Sequence, residues 1–153
     1  MNVVMIGPFA FKPKGTVSVR AFFIGRALAK RGHQVSILMP PYDNLEDSGR
    51  IWEQDGVQLE NMPLRRNDVW HQLVVPARMA RRAVQLDADV IHIFKPIAYS
   101  GLAGMVLHWF SRRPLVLDTD DWEGTGGWND VNGDHSPWQR PGPGPAGSGP
   151  HQR

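Results

Sequence analysis

Apolar and polar positions fall into blocks along this chain, and the first 39 residues set the pattern. Val3-Val4-Met5-Ile6 is a continuous apolar run ended by Gly7, which predicts a strand buried on both faces. Pro8 to Gly15 is a loop of Gly, Pro and Lys. From Ser18 to Arg31 the apolar positions Val19, Phe22, Phe23, Ala27 and Leu28, with Ile24 nearby, recur at helical spacing. Thr16 or Ser18 is placed to cap that helix, Lys30 and Arg31 suit its last turn, and Gly32 suits the residue after its end. Gly25 costs the helix up to ~1 kcal/mol against alanine, which close packing on a sheet would offset. Gln34 to Met39 predicts a second strand, stopped by Pro40-Pro41.

The same alternation continues. Tyr42 to Gly56 reads as polar and irregular, and Asp55-Gly56 as a turn. Val57 to Glu60 alternates like a half-exposed strand near a sheet edge, ended by Pro63, and Leu64 to Val69 is a charged connection. Trp70 to Leu86 predicts a helix with Trp70, Leu73, Val74, Ala77, Ala80 and Val84 toward the sheet, and Arg78, Arg81 and Arg82 as a basic face. Pro76 implies a start near Val75 or a kink. Asp89 to Phe94 reads as a central strand ended by Lys95-Pro96. Ala98 to Phe110 reads as an apolar helix in which Gly101 and Gly104 relieve crowding, and Leu115 to Leu117 as the next strand.

Strands and helices in this order define an α/β domain: a Rossmann-like parallel sheet of about five strands, joined by right-handed crossovers, with helices on both faces. The expected extent is residues 1–132. Of the 21 residues from Gly133 to Arg153, five are proline and five are glycine, so 133–153 reads as a disordered tail, or as the product of a truncation or frameshift.

Composition narrows the function. With no cysteine there is neither a disulfide framework nor a thiolate metal site. A formal net charge of +2 gives no argument for nucleic acid. No apolar run approaches the ~18 residues of a membrane span, and the start lacks the pattern of a signal peptide. The expected location is cytoplasmic. The scattered Arg65, Arg66, Arg78, Arg81, Arg82, Arg112 and Arg113 also allow peripheral contact with an anionic bilayer at the inner face of the membrane.

Two stretches carry candidate chemistry. The loop Gly7 to Thr16 joins the first strand to a helix N-terminus, where backbone N–H groups meet phosphate. It contains neither the spaced glycines of a dinucleotide fingerprint nor a Walker A sequence, and the second strand ends without an acid for a ribose. Gly15 and Thr16, with Lys14, are the candidate contacts to a phosphorylated ligand. The second stretch is Asp118, Asp120, Asp121, Trp122 and Glu123, at the carboxyl end of a strand read as central. Its carboxylates suit a general base, sugar hydroxyls or magnesium. Metal is the least favoured use, since no partner acid ends the other strands. Lys95 and Tyr99 are placed to line the same cleft, and Trp122 to stack on a sugar. His92 reads as a core histidine.

In order and spacing, three pieces resemble the N-terminal domain of the retaining GT-B glycosyltransferases of the family 4 group. They are Ala29-Lys30-Arg31-Gly32-His33-Gln34-Val35 closing the first strand-loop-helix, Ala88-Asp89-Val90-Ile91-His92-Ile93, and Pro114-Leu115-Val116-Leu117 leading into Asp120-Asp121. The resemblance covers Met1 to about Asn132. It implies a domain that holds the acceptor, with the Gly15 region approaching the donor diphosphate, and transfer from a UDP- or GDP-sugar to a hydroxyl, with retention and without an obligatory metal. Asp120 stands where the family commonly has a histidine, and Lys95 where many members have one; Asp120 and Asp121 are the implied catalytic positions. The donor-binding C-terminal domain of the family has no counterpart after Asn132. The implied partners are therefore that domain or a separate chain, and a sugar or lipid-linked acceptor, with the isolated chain inactive or partial. The competing readings are a non-enzymatic α/β binding module and a nucleotide- or metal-using enzyme centred on Asp118 to Glu123.

Overall fold

The computed structural model of the chain describes residues 1–11, 17–41, 45–64 and 70–119. In chain order the elements are β1 (Asn2–Ile6), a π-type turn (Val17–Ala21) running into α1 (Phe22–Ala29), and β2 (Gln34–Met39). A 3-10 turn (Leu45–Asp47), β3 (Ile51–Gln54), β4 (Val57–Asn61) and α2 (His71–Gln85) follow, then β5 (Val90–Phe94), α3 (Ala98–Phe110) and β6 (Leu115–Asp118). They form a six-stranded sheet in the order β3-β4-β2-β1-β5-β6, parallel except for β3. The fold is the expected doubly wound α/β sheet with helices on both faces.

β1 is the innermost strand by chemistry as well as position. Val4 and Ile6 project to one face, where Ile91 and Ile93 of β5 and Leu38 of β2 meet Met79 and Ala83 of α2 and Leu107 of α3. Val3 and Met5 project to the other, where Val35, Ile37 and Leu59 meet Ala21 and Phe22. A continuous apolar run is what such a doubly covered strand requires. Gly25 lets α1 sit down on this second face: a Cβ there would lie 3.3 Å from Val35 Cγ1 and 3.5 Å from Val57 Cγ2. Gly32 ends the helix at φ +82°, a left-handed conformation that glycine adopts without strain.

The hairpin and the first helix depart from the sequence expectation. The segment 42–56 is not wholly irregular. Ile51–Gln54 is an antiparallel edge strand, and Asp55 (φ 51°) and Gly56 (φ 77°) form a two-residue hairpin turn with both central residues left-handed. Accordingly Val57–Asn61 is not the edge: it lies between β2 and β3, with Val57, Leu59, Glu60 and Asn61 buried. The buried face of the first helix is also displaced. Val17, Ala21, Phe22 and Gly25 point inward, while Val19 and Phe23 are exposed. The i→i+5 bonds of the π-type turn enclose one residue more than those of an α-helix, which rotates the face that a 3.6-residue period predicts. Phe23 is instead covered by the Arg26 guanidinium, 5.0 Å from its ring centre.

In α2 the residues in the core are Val75, Met79, Ala80 and Ala83, whereas Trp70, Leu73, Ala77 and Val84 are exposed. Two apolar stripes compete on this helix, and contact with the sheet and with α3 selects between them. The helix begins at His71 and contains Pro76, so it does not wait for Val75 to start. Arg82 leaves the expected basic face. Its Nε donates to both carboxylate oxygens of Glu60, at 3.0 and 2.9 Å, and so compensates an acid that is 7 % exposed.

Gly101 and Gly104 do relieve crowding. A Cβ on Gly104 would lie 2.6 Å from Ile93 Cδ1, and one on Gly101 would lie 2.6 Å from the Pro96 carbonyl oxygen. The second obstacle is backbone and cannot rotate away. Gly101→Ala is therefore expected to cost about 1–3 kcal/mol by overpacking, despite alanine's higher helix propensity. Gly25→Ala meets side-chain methyls at ordinary or slightly short distance and should stay within about 1 kcal/mol of wild type. Urea unfolding of the two variants measures the difference, and equal stability would contradict the packing described here.

Candidate functional site

β1 hydrogen-bonds β2 on one side and β5 on the other. The chain leaves β1 through α1 toward β2, and returns through α2 to β5 on the opposite side. Connections that diverge in this way open a crevice at the carboxyl ends of β1 and β5, the ligand position of open α/β sheets.

The segment that leaves β5 into this crevice is strained. Lys95 (φ 43°) and Ala98 (φ 44°) both adopt left-handed conformations without being glycine, an arrangement that persists only when its surroundings hold it and that clusters at ligand sites. The surroundings are visible. The Lys95 N–H donates to the Asp118 carbonyl at 2.8 Å, tying the turn to β6, and the Ile97 N–H donates to the Lys95 carbonyl at 2.6 Å. Ser100 Oγ lies 2.7 Å from the Lys95 oxygen and 3.0 Å from that of Ile97, fastening the turn to the start of α3. The Lys95 backbone is thus fixed at the carboxyl end of β5, with the residue half-buried.

Beside it lies an acid with two nitrogen neighbours. Asp118 Oδ1 is 2.9 Å from Arg20 Nη2 of the π-type turn, and Asp118 Oδ2 is 3.7 Å from His92 Nε2. Strand parity explains the meeting. Phe94 pairs with Asp118 and His92 with Val116, so all four side chains project to the α1 face. His92 also stacks on Phe94 with ring centres 4.1 Å apart. Burial holds the His92 imidazole below its usual 6.5, Asp118 pulls the other way, and Arg20 adds to the lowering. At 3.7 Å the histidine is beyond hydrogen-bond range. The charge that Asp118 meets near pH 7 is therefore Arg20, and His92 is neutral. The arrangement offers a carboxylate paired with a guanidinium, next to an uncharged imidazole.

Of the residues named from sequence, Lys14, Gly15, Thr16, Asp120, Asp121, Trp122 and Glu123 lie outside the described residues. Tyr99 is 5 % exposed and packs in the core that α2 and α3 share. Asp118 ends a strand that, among the described residues, borders the sheet, so it is not at the end of a central strand as expected. No group of three or more His, Cys, Asp or Glu side chains converges as metal ligands among the described residues.

Arg20 is the residue that sequence reasoning missed. It lies in a segment read as helix, and nothing local marks it as facing β6. His92 was legible only as a core residue; its relation to Asp118 required the strand register. A second polar group, on β3 and β4, was also missed, because β3 was read as loop. The pair Asp-Gly with Ile51-Trp52 before it and Val57-Gln58-Leu59 after it was the available signal.

A doubly wound sheet with a strained turn after β5 and an ion pair at the end of β6 defines an α/β domain of the Rossmann-like class. A family described as the glycosyl transferase 4-like domain matches residues 15–144, and the chain belongs to that family. No curated protein matches it. Among solved structures, the C-terminal domain of a hydrogenase from Pyrococcus furiosus is similar at 17 % identity and a TM-score of 0.43, over 76 % of this chain and 89 % of that one. At those values the likeness bears on neither fold nor function.

The His92 environment has a measurable consequence. A histidine whose proton is bound less readily in the folded than in the unfolded state stabilises the fold fully above about pH 6.5, and that stability declines as pH falls through this value. Wild type is therefore expected to lose more stability than His92→Asn between about pH 7 and pH 5, by chemical denaturation. Asp118→Asn removes the one influence that raises the imidazole, so its NMR titration midpoint should move further down. A midpoint above 6.5 in wild type, or an upward move in the variant, would contradict the assignment.

Proposed function

We propose that this chain is the acceptor-side domain of a retaining GT-B glycosyltransferase, which moves a sugar from a UDP- or GDP-sugar to the hydroxyl of a sugar or lipid-linked acceptor. The match to the glycosyl transferase 4-like domain over residues 15–144 carries this reading. The strained turn at Lys95 supports it, because it sets a cation at the switch point where charge on a leaving diphosphate must be met. In the proposed reaction Lys14, Gly15 and Thr16 approach the diphosphate, and Asp120 and Asp121 act at the acceptor hydroxyl. Lys95 meets the anionic part of the substrate, Trp122 and Glu123 hold the sugar groups, and Tyr99 supports the wall from within the core. No metal is required.

A donor-binding domain or second chain completes the enzyme, and the polypeptide on its own turns over little or nothing. The assignment of 1–132 to this domain and 133–153 to a tail belongs to the same proposal. So does a cytoplasmic location with peripheral contact at the inner face of the membrane. Exposed Trp109 and Phe110 at the end of α3, next to Arg112 and Arg113, combine the apolar and basic groups such contact uses. Among the described residues no helix is long and apolar enough to cross a membrane.

The test is transfer from labelled UDP- and GDP-sugars to a panel of hydroxyl acceptors, with the full chain alone and with a family donor-binding domain added. Turnover is expected only with the added domain, with the product's anomeric configuration matching the donor's by NMR. Lys95→Met should reduce it at least tenfold, about 1.4 kcal/mol of transition-state stabilisation. Turnover by the chain alone would overturn the partial-enzyme reading. Silence in both arms, with native folding, would favour a binding module.

A further inference from the structure

β6 borders the sheet among the described residues. Sheet edges of soluble proteins are normally blunted by charge, proline or a covering segment, because their unpaired peptide groups invite another strand. Here the edge reads Leu115-Val116-Leu117, with Val116 45 % and Leu117 60 % exposed. The direction of its peptide groups follows from two hydrogen bonds: the Ile91 N–H donates to the Pro114 carbonyl, and the Lys95 N–H to the Asp118 carbonyl. Peptide groups alternate in direction along a strand. Those of Val116 therefore turn toward β5, and the N–H and C=O of Leu115 and Leu117 turn outward.

A groove runs beside this edge on the α3 face. Leu115 pairs with Ile91 and Leu117 with Ile93, so both leucines share the face that α3 covers. α3 itself sits over β5, close enough that a Cβ on Gly104 would meet Ile93 Cδ1 at 2.6 Å. Leu117 is left bare, and a groove of about 760 Å3 opens between α3 and β6. Leu102, Met105 and Trp109, spaced i, i+3 and i+7, form its helical wall, and all three are exposed.

Area, backbone and register together select the occupant. With Val116 and Leu117, the three helical side chains present on the order of 600 Å2, the upper limit of the apolar patch on an ordinary monomer. With the strand edge and His108 added, the face approaches the ~800 Å2 that each partner of a stable complex buries. A lipid surface does not suit it, because hydrocarbon would leave the outward peptide groups of Leu115 and Leu117 without partners. A strand satisfies them, and β6 is complementary to itself. Rotated about a twofold axis perpendicular to the sheet and beside Val116, a second β6 lies antiparallel to the first. Leu115 of each copy then faces Leu117 of the other, and both pairs are of the hydrogen-bonded kind.

The same rotation keeps both α3 helices on one face. Between them the four leucines floor a trough about 14 Å across, three strand spacings of ~4.8 Å, which Met105 and Trp109 of each copy face. Charge does not oppose the pairing. Asp118 falls opposite Pro114 of the second copy, projects to the α1 face and is matched by Arg20.

We infer that this chain forms a twofold dimer through β6 and α3, which joins the two sheets into one. The inference does not rest on the transferase reading. Phe110, which lines a separate hollow with Val84 on the α2 side of α3, stays outside the joint.

The full chain is tested by sedimentation equilibrium from nanomolar to high-micromolar loading, where a reversible monomer–dimer equilibrium is expected. Leu117→Lys and Trp109→Glu should each weaken it at least tenfold while circular dichroism and Tm stay native. Both residues are exposed, so one folded variant suffices if the other fails. Ile51→Lys, on the opposite edge strand, should leave the equilibrium unchanged. Register is read by cross-linking, since the chain has no cysteine of its own. The two Val116 residues form a non-hydrogen-bonded antiparallel pair with Cα atoms ~4.5 Å apart, within disulfide range. Val116→Cys should therefore oxidise to a covalent dimer, and the comparably exposed Ile51→Cys should not. A monomer at every loading overturns the inference. Quenching of Trp109, by difference from Trp109→Phe, then names the other occupant: residues 120–153 of the same chain if it is shielded in solution, lipid if only anionic vesicles shield it. A dimer that both folded variants leave intact, or no preference for Val116→Cys over Ile51→Cys, overturns the inference as well.

Discussion

The double pairing of β1 is the constraint on which the rest depends. Its two parallel neighbours lie on opposite sides and are reached by helical crossovers, α1 leading out to β2 and α2 leading back to β5, and right-handed crossovers that run in opposite directions lie on opposite faces. For this chain that rule places α1 on one face and α2 and α3 on the other. It also leaves the carboxyl ends of β1 and β5 without a covering connection between them. The crevice is a consequence of topology before any polar residue is considered. The apolar run Val3-Val4-Met5-Ile6 is what permits the double pairing, since a polar side chain on either face of β1 would be buried without a partner.

Around that crevice, rigidity is local and built from backbone. The Lys95–Ala98 turn holds two left-handed non-glycine residues because Asp118, Ile97 and Ser100 each bond the Lys95 peptide. The cost of such conformations, about 1–3 kcal/mol each, is offset by satisfying peptide groups at a strand end. The same strand end holds Asp118 against Arg20. In this way the first and last described connections of the sheet meet at one carboxylate, although nearly a hundred residues separate them in sequence.

The β3–β4 hairpin extends the sheet beyond β2. β3 runs antiparallel and so brings its beginning, Arg50 and Ile51, beside the end of β4. The reversal carries an arginine and a tryptophan to the carboxyl edge that a parallel strand would have placed elsewhere. Buried Glu60 and Asn61, adjacent in β4, project to opposite faces and meet different fates: Glu60 is neutralised by Arg82 of α2, and Asn61 keeps an acceptor unused.

Short-range physics was legible in the residues themselves. The apolar runs, the Gly32 helix end, the Asp55-Gly56 turn and the need for small residues at Gly25, Gly101 and Gly104 all follow from steric and solvation effects within a few positions, and they suffice for the α/β class. Lys95 at a strand end was readable for the same reason. The inward face of α1 was not, because a π-type turn shifts the helical phase. Nor was the choice between two apolar stripes on α2, because both satisfy the period equally well and only the sheet and α3 break the tie. Arg20 with Asp118, and Trp52 with Phe11, are contacts between segments whose separation in sequence carries no local signal. What the sequence determined by itself was the set of elements and the order in which they come. Tertiary structure alone decided which side chains share a face, because strand register and helix phase are settled by packing against partners distant in the chain.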